Sequence, residues 1–219
     1  MSGVHERVTD PLARFLAQVG VSPSAIATAG MVASIAAAGA FATREPRWAG
    51  ALVLVTGLCE LLHRAVARSA GRVSRFAAFY DTTLARAGDA VVFAGLAVFF
   101  LRGGVPAARV LPAVLVTFAA LGAVFLVAYT RARADALGID FPRGRAKRAE
   151  FLLLLGAPPL IAGAGPNGVV LFWMTTVLAV LAATTVVRRL WRASTVVDTA
   201  TARPRGTLAG RAPAMKRGA

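Results

Sequence analysis

Long stretches without a single charged residue constrain this chain more than any other feature. No Asp, Glu, Lys, Arg or His occurs between Arg14 and Arg44, and 37 uncharged residues separate Glu150 from Arg188. A helix crosses a hydrocarbon core of about 30 Å with roughly 20 apolar residues, so blocks of this length read as membrane spans. Composition agrees: 57% of the 219 residues are hydrophobic, 16% are charged, and the mean hydropathy is +0.66. A soluble domain of this size would need more polar surface.

Read along the chain, the first span centres on residues 24–41, the second runs from about Ala49 to Arg68, and the third from about Phe76 to Leu101. Pro106 separates these from a fourth, Val110–Tyr129. The last uncharged stretch is too long for one helix, and Gly163-Ala164-Gly165-Pro166-Asn167-Gly168 is a strong turn signal. It therefore divides into two shorter spans joined by a hairpin. The expected fold is an all-α membrane protein with six transmembrane helices.

Three regions follow. Residues 1–20 form a juxtamembrane segment in which Leu12, Phe15, Leu16 and Val19 recur at helical spacing, as in an amphipathic surface helix. The first residues do not read as a cleavable signal peptide. Residues 21–192 form the membrane domain, and residues 193–219, rich in Thr, Arg, Pro and Gly, read as a disordered basic tail.

The net charge of +15 and pI of 11.8 could suggest nucleic acid. The placement of the charge argues otherwise. With six spans, 21 of the 25 basic residues fall on the side holding both termini and the 2–3 and 4–5 loops. The positive-inside rule assigns that side to the cytoplasm, in a cell membrane, and explains the basic excess through topology and anionic lipid. No aromatic-interleaved basic patch on a soluble module supports nucleic-acid binding. The single cysteine, Cys59, excludes an internal disulfide and a Cys-based metal site.

Spans two and three break the apolar pattern. Span two carries Glu60, His63, Arg64 and Arg68, and span three carries Asp81, Arg86 and Asp89. A charge at mid-membrane costs about 2.5–3.5 kcal/mol on insertion scales, so such residues usually line a cavity or ion site. Glu60, His63, Arg64, Ala67 and Arg68 share one helical face, and Asp81, Ala85 and Asp89 share another. A structural salt-bridge cluster with snorkelling arginines is the plainer alternative.

The segment from Glu60 to Asp89 resembles the signature of CDP-alcohol phosphatidyltransferases, D-x-x-D-G-x-x-A-R-x8-G-x-x-x-D-x-x-x-D. Setting Ala67-Arg68 on the family's A-R places Asp81 on the third aspartate without a gap. The runs around Gly71–Phe76, Asp81–Phe93, Tyr129–Asp135 and Arg148–Glu150 are similar to the inositol-phosphate-using branch found in actinobacteria. The resemblance covers about residues 8–192.

In that family, by resemblance, three aspartates hold divalent ions that grip the diphosphate of a CDP-linked lipid. A fourth aspartate takes the acceptor's proton. This chain has Glu60, His63 and Ala85 for the first, second and fourth aspartates, and Arg64 and Ala77 for the two glycines. The resemblance thus assigns Glu60, His63 and Asp81 to metal, and Arg64, Ala67 and Arg68 to the nucleotide diphosphate. It assigns Arg131, Arg133, Arg148 and Arg189 to an acceptor phosphate, and leaves the catalytic base unknown because Ala85 cannot accept a proton.

It further implies Mg²⁺ or Mn²⁺, a CDP-diacylglycerol-like donor, a small alcohol acceptor and a homodimer. The substitutions leave two readings open. One is a phosphatidyltransferase releasing CMP with an altered metal set; the other is a catalytically inactive homologue that binds lipid or a partner. Imidazole nitrogen suits Zn²⁺ or Mn²⁺ better than Mg²⁺, and Mg²⁺ tolerates the longer glutamate poorly. A transporter is disfavoured, since no inverted repeat is apparent.

Overall fold

The structure, a computed structural model, describes residues 15–16, 18–69, 74–138 and 148–201. Most of the expected amphipathic N-terminal helix, residues 70–73, residues 139–147 and the chain beyond Thr201 lie outside the described residues. Six helices of at least 15 residues follow in order: α1 Pro23–Ala42, α2 Pro46–Ser69, α3 Arg75–Phe99, α4 Ala107–Ala136, α5 Arg148–Ala162 and α6 Val169–Thr201. A π-helical turn, Phe100–Gly104, ends α3, and a 3₁₀ turn, Pro166–Gly168, precedes α6.

The sequence explains these boundaries. Ser22 caps α1, its Oγ accepting from the Ala25 N–H at 3.2 Å, with Pro23 at the first helical position. Ser74 caps α3 in the same way, accepting from Ala77 N–H at 3.0 Å, which sets the register of Asp81 two turns in. Pro106 stands immediately before α4, where it interrupts the chain as expected. The hairpin after α5 takes positive φ at Gly163, Gly165, Asn167 and Gly168.

Among the described residues, five helices are long and apolar enough to cross a membrane. The remaining expected span falls on α5, whose 15 described residues reach about 22 Å at 1.5 Å per residue. The Gly163 turn ends it. α6 continues to Thr201, past the expected start of the tail at 193, because no Gly or Pro interrupts it before Pro204.

α1 packs on α2 and α3, α2 on α5, and α4 on α6. Phe41, Leu96, Phe100, Leu171 and Leu178 are fully buried at the centre. Trp48, Leu111, Phe118, Trp173 and Trp191 are exposed on the outside, the arrangement expected of a surface that faces lipid. At Gly95 a Cβ would overlap the Ala38 backbone, so α1 and α3 approach as closely as their backbones permit. That close crossing lies on the far side of the residues that form the site.

Candidate functional site

Beyond the tight crossing, α1, α2 and α3 diverge around a cavity of about 410 Å³. α2 contributes Thr56, Cys59, Glu60, His63, Arg64 and Ala67, residues that recur every three or four positions and so face one way. α3 contributes Asp81, Ala85 and Gly88 at the same periodicity, with Arg86 beside them. The wall from α1 combines the small residues Ala27, Gly30 and Ser34 with Ile26 and Met31.

Two ion pairs organise the charged side chains. His63 Nε2 lies 2.8 Å from Asp81 Oδ2, joining α2 to α3; the contact is an ion pair when the imidazole is protonated. Arg64 Nη2 donates to Glu60 Oε1 one helical turn earlier. Arg64 is about half exposed and its carboxylate partner largely buried. A third pair, Arg86 Nη1 to Asp89 Oδ2 at 3.0 Å, lies one turn deeper on α3. Asp89 is buried and lines a separate, much smaller cavity with Ser34 and Val92. It therefore shares a helix face with Asp81 in sequence, yet not the same chamber.

The sequence-derived site residues thus divide. Glu60, His63, Arg64, Ala67 and Asp81 line one cavity, as does Ala85 at the position of the family's base. Arg68, in the last turn of α2, does not line it. Arg133 and Arg189 line a separate cavity of about 170 Å³ with Tyr129, Thr130 and Leu137. Arg189 Nη1 donates to Val127 O and, at 3.3 Å, to Thr130 Oγ1, tying α6 to α4. Arg131 is exposed and pairs with Asp135 along α4 at 3.7 Å. The side chain of Arg148 lies outside the described residues.

Sequence reasoning missed the contribution of α1, which carries no charge. The only signal was a face of small residues, Ala27, Gly30 and Ser34, at helical spacing. It also missed the Ser34–Thr56 hydroxyl contact of 3.3 Å at the cavity's inner end.

A divalent ion, as the resemblance implies, would need several oxygen or nitrogen ligands converging on one point. Asp81 Oδ1 is a candidate acceptor: among the described residues it is the one buried side-chain polar atom without a hydrogen-bond partner. It is a single atom, however. Glu60 is engaged by Arg64, the other Asp81 oxygen by His63, and position 85 offers a methyl group. Among the described residues no three of His, Cys, Asp and Glu form a group that could hold a metal ion. As arranged, the donor set does not fit a metal centre of the kind expected.

No protein-family model matches the chain. It is similar to individual proteins. It is 37% identical over 150 residues to the phosphatidylinositol phosphate synthase of Streptomyces avermitilis, a match covering 68% of this chain and 60% of that relative. The chain thus spans less than two thirds of that relative's length. It is 32% identical over 196 residues to the synthase of the same name in Mycobacteroides abscessus, covering 87% of each. Among solved structures it is similar to Mycobacterium tuberculosis phosphatidylinositol phosphate synthase with CDP-DAG bound. That match has a TM-score of 0.68 and 30% identity, over 84% of this chain and 92% of that one. The same enzyme in complex with manganese and citrate matches with a TM-score of 0.69 and 30% identity, over 83% and 87%.

Proposed function

The chain belongs to the CDP-alcohol phosphatidyltransferase family, and from that premise we propose that its α1–α3 cavity receives the nucleotide headgroup of CDP-diacylglycerol. The reaction is transfer of the phosphatidyl group to a small phosphorylated alcohol. The acceptor hydroxyl oxygen bonds to the lipid-side phosphorus and gives up its proton to solvent, the bond from that phosphorus to the bridging oxygen breaks, and CMP departs with that oxygen.

One observation carries the reading. In an otherwise apolar bundle, Glu60, His63, Arg64 and Asp81 come from two helices to a single open cavity. Keeping such groups among membrane helices is costly unless they meet a polar ligand. The exposed Phe76 and Phe79 of α3 suit the donor's acyl chains, and the arginines of the second cavity, Arg133 and Arg189, suit an acceptor phosphate through guanidinium forks. α5 completes a sixth crossing, which puts both termini and the cavity mouth on the cytoplasmic side, where the basic residues concentrate. The homodimer belongs to this proposal as well.

A second reading has its own observation. Ala85 supplies no base, and both carboxylates of the motif already meet side chains of the chain itself, Glu60 the Arg64 guanidinium and Asp81 the His63 imidazole. On that reading the cavity binds the donor without turning it over. Release of CMP from CDP-diacylglycerol, screened with inositol phosphate, glycerol phosphate and unphosphorylated alcohols, separates the two. Acceptor-dependent CMP release, slower than in a relative with the intact motif, is the result expected. Donor binding with no CMP release under any acceptor would establish the second reading in its place.

A further inference from the structure

Resting on the donor-binding reading, we propose that this cavity grips the diphosphate of its nucleotide-lipid directly through Arg64, with no divalent ion. The inference comes from where the positive charge stands. The signature has a glycine between its metal-holding aspartates and the rest of α2, and this chain has Arg64 there. Its guanidinium lines the cavity and is 48% exposed, while Glu60, which it contacts, is 9% exposed. A guanidinium presents five N–H donors in a planar fork, and the Glu60 contact engages Nη2 alone. The fork that remains matches two phosphate oxygens, a geometry that lysine or a hydrated ion does not reproduce.

Charge balance points the same way. The carboxylates lining the cavity are Glu60 and Asp81, and the arginines lining it are Arg64 and Arg86. Arg86 is already paired with Asp89, so among the described residues of the lining Arg64 alone offsets Glu60 and Asp81 when His63 is neutral, whereas the intact signature places four carboxylates and a glycine at the corresponding positions. A dication is held by surplus negative charge, and this lining has far less of it than the intact signature. An anionic ligand, in contrast, gains from Arg64 without first displacing an ion. The carboxylate of Glu60 then orients the guanidinium from behind, the arrangement in which an arginine loses least freedom on binding.

The test is calorimetric titration of CDP into the full-length protein in lipid nanodiscs, once in EDTA and once in Mn²⁺. The expected affinity in EDTA lies within about threefold of that in Mn²⁺. Arg64→Gln lowers it about tenfold in both media, the scale of one lost charge-assisted contact. Arg64→Lys, which keeps the charge and loses the fork, falls between them. Unchanged melting temperatures establish that each variant is folded. Binding that requires Mn²⁺ and is indifferent to Arg64→Gln would overturn the inference and leave the donor-binding reading standing. Absence of CDP binding in both media would overturn both.

Discussion

Asp81 is 7% exposed, has one oxygen on His63 and the other without a partner. A buried carboxylate in that state is costly unless its neighbours compensate, and the imidazole of His63 is the compensation the structure supplies. The two side chains should therefore couple. In a double-mutant cycle with His63→Ala and Asp81→Ala, followed by thermal denaturation in one detergent, the interaction energy should be about 1–3 kcal/mol. Additive losses would mean that the two side chains do not meet. At this scale the sequence was partly readable. The i, i+4 spacing of Glu60 and Arg64 foretells their pairing, since neighbours on a helix face meet at that interval. The His63–Asp81 contact joins two helices and was accessible only through their facing periodicities. The separation of Arg133 and Arg189 from Glu60 and Asp81 was not legible at all, because spacing along a chain does not encode which chamber a side chain enters.

Among elements, α1 and α3 decide whether there is a site. They touch most closely at Gly95 and Ala38, and they part toward Asp81. A side chain at Gly95 would act as a wedge. Gly95→Leu should lower stability by about 1–3 kcal/mol, the usual cost of overpacking, while the same change at Gly122, where a Cβ meets nothing within 4 Å, should be tolerated. Melting curves of the two variants check this, and equal loss at both positions would contradict it. Helix boundaries were largely legible because the signals are local: Ser22-Pro23, Ser74, Pro106 and the Gly163–Gly168 turn each act on their own backbone. The exceptions are also local in origin. α5 is short because the chain turns at Gly163, and α6 outruns its expected end because nothing before Pro204 stops it. The role of α1 was hidden for a different reason. Its face of Ala27, Gly30 and Ser34 contributes space rather than charge, and space has no composition signal.

At the scale of the molecule, a largely apolar exterior encloses a chamber of three helices whose mainly apolar lining carries a few ionisable side chains, and the apolar run lengths follow from the membrane while the ionisable residues follow from the chamber. The family's fold is retained together with a cavity whose motif carboxylates are engaged by the chain's own Arg64 and His63. The chain's single cysteine reports on that chamber, because Cys59 lines it beside Glu60. The most direct measurement is the rate at which a membrane-impermeant thiol reagent modifies Cys59 in inverted membrane vesicles, with and without CDP. The account predicts that the thiol is reached from the cytoplasmic face and that CDP slows the reaction in a saturable way, whereas AMP at equal concentration does so far less. A rate that is the same with and without CDP would contradict the claim that this cavity holds the nucleotide.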